Sequence, residues 1–263
     1  LPYLCRSLFT PLAVGKILSF VHPISTEWMA LGFLPEQKQL QPDGSMMMKQ
    51  SISRCQRSNK EGILKMLIGV PKEIKSDEYR IGLTPESVES LTQSGHQVMI
   101  ENNAGLGIGK DNDAYEESGA EIVQTREEIF QRAEMIVKVK EPQLDECALL
   151  KPDQILFTYL HLAPDPDQVK ALLESGCRAI AYESVRTDDG TYPLLIPMSE
   201  VAGRMAVQAG ATCLEKVKGG LGRLIGGVTD VDPADVVVIG GGVVGYNAIE
   251  IAIGMQANVT VLD

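Results

Sequence analysis

From residue 67 onward, short apolar blocks alternate with longer polar stretches of helical spacing. LIGV (67–70) reads as a strand covered on both faces, and the polar loop KEIKSDEYRIG follows it. Thr84-Pro85 supplies a helix N-cap and a proline at the first helical position. Val88 and Leu91 carry that helix to Gly95, a natural stop. QVMIE (97–101) is the next strand, and AYEESGAEIV holds a short helix and a further strand. Then come the helix REEIFQRA and the strand MIVKVK (135–140). QILFTYLHL (154–162) is a strand, DPDQVKALLESG a helix and RAIAYESV (178–185) a strand. This alternation predicts an α/β fold with a largely parallel sheet.

The pattern then breaks. YPLLIP (192–197) leads to Ser199, an N-cap candidate for a long helix in EVAGRMAVQAGATCLEKVKGG. GGLGRLIGGVTDVDPADV marks loop and turn, and VVVIG (236–240) opens a second domain. Residues 1–65 differ from all of this. Their apolar run SLFTPLAVGKILSFVHPI is broken by Pro11, Lys16, His22 and Pro23, well short of the roughly 20 residues of a membrane span. A polar stretch without period follows it. The stretch reads as a disordered extension or as translated sequence ahead of a start at Met66, with a transit peptide as the sharper alternative; a signal peptide lacks a clean cleavage site. The expected division is therefore 1–65 extension, 66–195 first domain, and 196–263 linker helix with half of a second domain.

Composition narrows the classes. Apolar residues make up 44% and charged residues 22%, as in ordinary globular proteins. A net charge of -11 argues against nucleic acid and anionic membrane as partners. The five cysteines are scattered with no C-x-x-C pair, and the three histidines are dispersed. Neither a disulfide framework nor a metal cluster is expected, and a reducing, cytoplasmic setting fits best.

Candidate chemistry begins at the glycine turn. Gly240, Gly242 and Gly245 match G-x-G-x-x-G directly after an apolar strand and directly before a helix. Asp263 ends the next strand, NVTVLD, 18 residues after Gly245. The glycines suit a tight turn, close approach to a pyrophosphate and close helix packing, and the helix N-terminus attracts phosphate. An acidic residue at the second strand end favours NAD over its 2′-phosphorylated form, with FAD a minor competitor. In the first domain Arg80, Lys138, Lys140 and His161 fall where strands end, the edge at which open α/β sheets gather ligands. Singly, an arginine or lysine there is most often a solvated charge. Together they suit a small α-keto acid: Arg80 for a carboxylate, Lys140 for a keto oxygen, His161 as general acid or base.

GVPKEIKSDEYRIGLTPESV, KVKEP, FTYLHLA, AYESV, PLLIPMSEVAGRMA and VVVIGGGVVGYNA together resemble the alanine dehydrogenases, a group related to the NAD-binding subunit of proton-translocating transhydrogenase. The resemblance covers about residues 66–263. It implies two Rossmann-like domains with mostly parallel sheets, and reversible NAD-dependent oxidative deamination of L-alanine to pyruvate and ammonia. It implies Arg80 on the substrate carboxylate, Lys140 polarising the substrate, and His161 as acid/base. Met198 would line the substrate cleft and Ser199 the cofactor side, with Asp263 on the ribose. A cytoplasmic hexamer acting on a small molecule is implied too. The family pattern continues past the aspartate, so the chain is expected to be an N-terminal fragment, inactive alone, with its second domain cut after one β-α-β unit. The transhydrogenase subunit, with the saccharopine and lysine dehydrogenases and a non-catalytic NAD sensor, are the competing readings.

Overall fold

Polar residues ahead of apolar runs start the helices, as their chemistry dictates. In the computed structural model, which describes residues 65–263, Thr84 accepts from the Ser87 N–H ahead of α1 (Pro85–Gln93). Asp111 and Thr125 do the same for α2 (Asn112–Glu117) and α3 (Arg126–Arg132). A short α4 (Leu144–Cys147), not foreseen from the pattern, is closed by a capping box of Gln143 and Glu146. Asp165 caps α5 (Pro166–Ser175), which stops at Gly176 in the left-handed region. Apart from Lys65, the expected N-terminal extension lies outside the described residues.

Six strands form one sheet: β1 (Leu67–Val70), β2 (Gln97–Glu101), β3 (Glu121–Val123), β4 (Met135–Val137), β5 (Ile155–Thr158) and β6 (Arg178–Ala181). Their order is β3-β2-β1-β4-β5-β6. The registered pairs are parallel, so the expected α/β architecture is present. The order reverses between β1 and β4, the doubly wound arrangement in which ligands gather beyond the carboxyl ends. Ile68, Val70, Met99, Ile100 and Ile136 are fully buried, as strands covered on both faces require.

The described residues up to Glu73, with Tyr79–Val137, make one compact unit; Ile74–Glu78 and Lys138–Asp263 make the second. The second unit also holds a parallel pair, β7 (Asp235–Ile239) and β8 (Asn258–Leu262), joined by α7 (Val243–Gly254). Helix α6 (Ile196–Cys213) packs on α7, and Gly203 permits the approach: a Cβ there would stand 2.2 Å from the Val244 carbonyl oxygen. Val207, Ile225, Ala234, Ala248 and Ala252 form the core beneath.

Three strands end earlier than their apolar runs predict. β4 stops at Val137 rather than 140, β5 at Thr158 rather than 162, and β6 at Ala181 rather than 185. The apolar residues beyond them remain buried: Val139, Tyr159 and Leu160 in loops past the strand ends, and Tyr182 in a 3-10 turn, Tyr182–Ser184. Side chains take over part of the backbone pairing there: the Thr158 hydroxyl donates to the Lys140 carbonyl at 2.8 Å. Lys138 and Lys140, read into β4 from the sequence, therefore lie beyond it. Lys138 is fully buried and pairs at 2.8 Å with the equally buried Glu146. Ser199 is not a cap either, since α6 starts at Ile196 and its Leu195 carbonyl accepts from the Ser199 N–H at 3.1 Å.

Two stability predictions follow from buried charge. Lys138→Ala leaves a carboxylate without its ammonium partner and should cost about 3–5 kcal/mol in denaturant unfolding, while Lys138→Met with Glu146→Leu should recover most of it. Burial holds the His96 imidazole below its ordinary value of 6.5. The unfolded chain therefore binds a proton that the folded one refuses, and stability falls as pH drops through and below 6.5. Glu101, pushed up by burial, acts in the opposite sense nearer its ordinary 4.5. Melting temperature should fall between about pH 7.5 and 5.5, and less so in His96→Asn.

Candidate functional site

The glycine turn is shaped by one contact that no side chain would allow. A Cβ on Gly245 would meet the Gly240 carbonyl oxygen at 1.8 Å, so α7 seats directly on the end of β7. Gly240 turns the chain at φ 93°, in the left-handed region. Its N–H donates to the Leu262 carbonyl at 2.8 Å, which extends the β7–β8 register by one step. Gly242, the cap position of α7, lends no side chain to the helix N-terminus, and a Cβ there would meet nothing within 4 Å. The N-terminus of α7 thus carries no side-chain cap, the arrangement in which a helix N-terminus binds phosphate.

Asp263 comes back to this turn at the end of β8. Its carboxylate accepts from the Gly241 N–H at 3.1 Å and lies 2.9 Å from where a Gly241 Cβ would stand. The G-x-G-x-x-G spacing treats Gly241 as free, yet it is the position that meets Asp263; its signal in the sequence is only that a third glycine occupies it. A cleft of about 770 Å³ in the same unit is lined by Ser199 of α6 and by Gly240, Gly242 and Gly245. The structure thus gathers Ser199 with the glycine turn, although they are some forty residues apart in the chain.

The other candidates sit on loops that leave the carboxyl ends of β1, β4 and β5. Arg80 is half-buried in the loop after β1, in the first unit. Lys140 is half-buried after β4, and two residues ahead of it lies the Lys138–Glu146 pair. Lys75 pairs with Glu141, so the segment carrying Lys140 is pinned on both sides by ion pairs. Met198 is half-buried in the first turn of α6.

His161 departs most from expectation. It does not close a strand: it lies three residues past β5, exposed, at φ 46°. That left-handed conformation is uncommon for a residue with a Cβ. The Glu183 carboxylate accepts from the His161 N–H at 2.9 Å and from the Leu160 N–H at 3.1 Å. Gln168, buried at the start of α5, donates from Nε2 to the Leu160 carbonyl at 3.1 Å. The Tyr159 ring lies 5.9 Å from the imidazole, centre to centre. Glu183 and Gln168 carry no site signal of their own in the sequence, because their partners are main-chain groups.

Among the described residues no three His, Cys, Asp or Glu side chains group as metal ligands, and no helix is long and apolar enough to cross a membrane.

A six-stranded doubly wound sheet, followed by a parallel β-α-β unit with a glycine turn, defines a doubly wound α/β protein. Comparison with known proteins gives the particular family. The N-terminal domain profile of alanine dehydrogenase/PNT matches residues 69–202, and the C-terminal domain profile of the same family matches 206–263. The chain belongs to this family. It is 57% identical over 198 residues to an alanine dehydrogenase of Methanococcus maripaludis, covering 75% of this chain and 53% of that protein. It is 52% identical over 198 residues to the alanine dehydrogenase of Bacillus subtilis, with 75% of this chain and 52% of that one covered. A solved L-alanine dehydrogenase superposes with a TM-score of 0.71 at 49% identity, over 75% of this chain and 55% of that chain. A transhydrogenase from Sinorhizobium meliloti shares the fold, with a TM-score of 0.62 at 24% identity over 74% of this chain and 56% of that one. The chain spans about half the length of the curated relatives it matches.

The glycine geometry gives a prediction free of any ligand. Gly245→Ala forces α7 off the end of β7 and should lower stability by about 1–3 kcal/mol, as overpacking does. Gly242→Ala, with open space around its Cβ, should unfold at the parent's denaturant midpoint. Equal midpoints for both variants would show that the Gly240–Gly245 approach is not a constraint.

Proposed function

We propose that the full protein carrying this chain catalyses the reversible NAD-dependent oxidative deamination of L-alanine to pyruvate and ammonia. What carries the reading is the set of Arg80, Lys140 and His161 on loops beyond the carboxyl ends of β1, β4 and β5, in a chain of this family. The high identity to proteins named alanine dehydrogenase supports the choice of substrate.

In this reading the guanidinium of Arg80 holds the substrate carboxylate through paired N–H donors. The Lys140 ammonium polarises the group on the substrate Cα, a keto oxygen in the direction of amination. His161 moves the proton: it takes one from the water that hydrolyses the imino acid and delivers one to the departing amine. Met198 contributes apolar wall. Bound NAD would supply the hydride acceptor. Its fit is supported by the uncapped N-terminus of α7 and by the open space at Gly242. Gly240 and Gly245 shape that cradle, Ser199 lines the adjoining cleft, and Asp263 accepts from the ribose hydroxyls. The domain reading is that 66–195 carries substrate and 196–263 begins the NAD domain, and the division of the two profiles near residues 202–206 supports it. The full protein is read as a cytoplasmic homo-oligomer.

The test uses the full-length protein. Alanine should drive NADH formation, and His161→Ala should lower kcat by about 10²–10⁴-fold, the worth of a general acid/base. NADH affinity in that variant should stay close to the parent's. Turnover surviving in His161→Ala would remove the acid/base role. Hydride exchange between nicotinamide cofactors without alanine would favour the transhydrogenase reading.

A further inference from the structure

The turn that carries His161 is unusual on two counts. His161 adopts the left-handed conformation, and its N–H and that of the preceding residue converge on a single carboxylate. Successive main-chain N–H groups beside a left-handed residue form a small anion-binding concavity. Here the anion is built in. Glu183 Oε1 accepts from the Leu160 N–H at 3.1 Å and the His161 N–H at 2.9 Å, and Oε2 stands 3.3 Å from the Leu160 nitrogen.

Sheet register explains why Glu183 arrives there. β5 and β6 run parallel with Thr158 opposite Ala181. Leu160 lies two residues beyond Thr158, and Glu183 lies two beyond Ala181. The Tyr182 ring fixes the chain between, packing edge-on against Phe157 at 4.3 Å and Tyr159 at 4.9 Å. Tyr182 is buried, so the backbone at 183 has little freedom. From the other side, buried Gln168 holds the Leu160 carbonyl. The two residues of the turn are thus gripped at Leu160 N–H, Leu160 C=O and His161 N–H by side chains from two different elements.

The imidazole itself is exposed, and among the described residues neither of its ring nitrogens has a hydrogen-bond partner. Glu183 therefore touches the backbone of His161 and not its ring nitrogens. Resting on the reading of His161 as acid/base, we propose that Glu183 is a positioning residue. Its carboxylate clamps the 160–161 turn in the left-handed conformation and so aims the imidazole at the substrate. The clamp works by geometry, because one oxygen accepts both N–H groups. The electrostatic alternative, a carboxylate paired to the imidazole, needs a contact that the turn does not make.

The test compares Glu183→Gln with Glu183→Ala in the full-length protein. Glutamine keeps one acceptor oxygen and should retain most of kcat. Alanine releases the turn and should lower kcat by about 100-fold, the cost of misplacing a reacting group by about 1 Å. The alanine KM and the NADH affinity should change little in either. Parent-like kcat in Glu183→Ala overturns the clamp, and so does an equal loss in both variants, since then charge and not geometry is needed. Should Glu183→Ala fail to fold, Glu183→Asp replaces it: the shorter side chain cannot reach both N–H groups, so kcat should fall with NADH affinity kept, and parent-like kcat overturns the proposal. A parent that forms no NADH from alanine defeats the proposed reaction and leaves the clamp to be judged by crystallography. The φ of His161 should leave the left-handed region in the alanine or aspartate variant, and an unchanged φ in it overturns the clamp.

Discussion

A parallel sheet cannot be closed by tight hairpins, because each strand must be followed by a crossover before the next can begin. All strands of the first sheet therefore release their outgoing loops at one edge. That constraint decides where the candidate residues stand. Arg80 follows β1, Lys140 follows β4 and His161 follows β5, so three residues distant in sequence leave from the same edge of one sheet. The order reverses between β1 and β4, which separates their loops in the way doubly wound sheets use to make a crevice.

The second sheet repeats the logic at smaller scale. β7 and β8 are parallel and in register from Asp235–Asn258 to Ile239–Leu262. One further step brings Gly240 against Leu262, and the next brings Asp263 to the Gly241 N–H. The glycines do different work along this turn. Gly245 removes a clash with backbone, Gly240 adopts a conformation that side chains resist, and Gly242 leaves space open in front of the helix. A single hydrophobic strand pair, one register and three absent Cβ atoms build a cradle with an acidic rim.

Rigidity at the loops comes from polar side chains rather than from more sheet. The segment around Lys140 is held by the Lys138–Glu146 and Lys75–Glu141 pairs. The turn at His161 is held by Glu183 and Gln168. Loops gain precision when polar side chains hold them, and a buried polar group left unpaired would cost stability.

The sequence by itself determined the order of the strands and the longer helices, the cap at Thr84, the apolar strands and the glycine turn. Those features are local: a cap or a turn needs only its neighbours within a few residues, and strand burial is written in the apolar run. The family was legible for the same reason, since its motifs are contiguous. Strand ends were not, because Tyr159 and Leu160 in a packed loop, and Tyr182 in a 3-10 turn, are as apolar as they would be in a strand. Lys138 and Lys140 look equivalent along the chain, yet only the partner Glu146 decides that the first is buried structure. The left-handed turn at His161 was invisible too, as were the carboxylate that holds it and the approach of Asp263 to Gly241. Each depends on which strand lies beside which and in what register, a choice that only the assembled sheet makes.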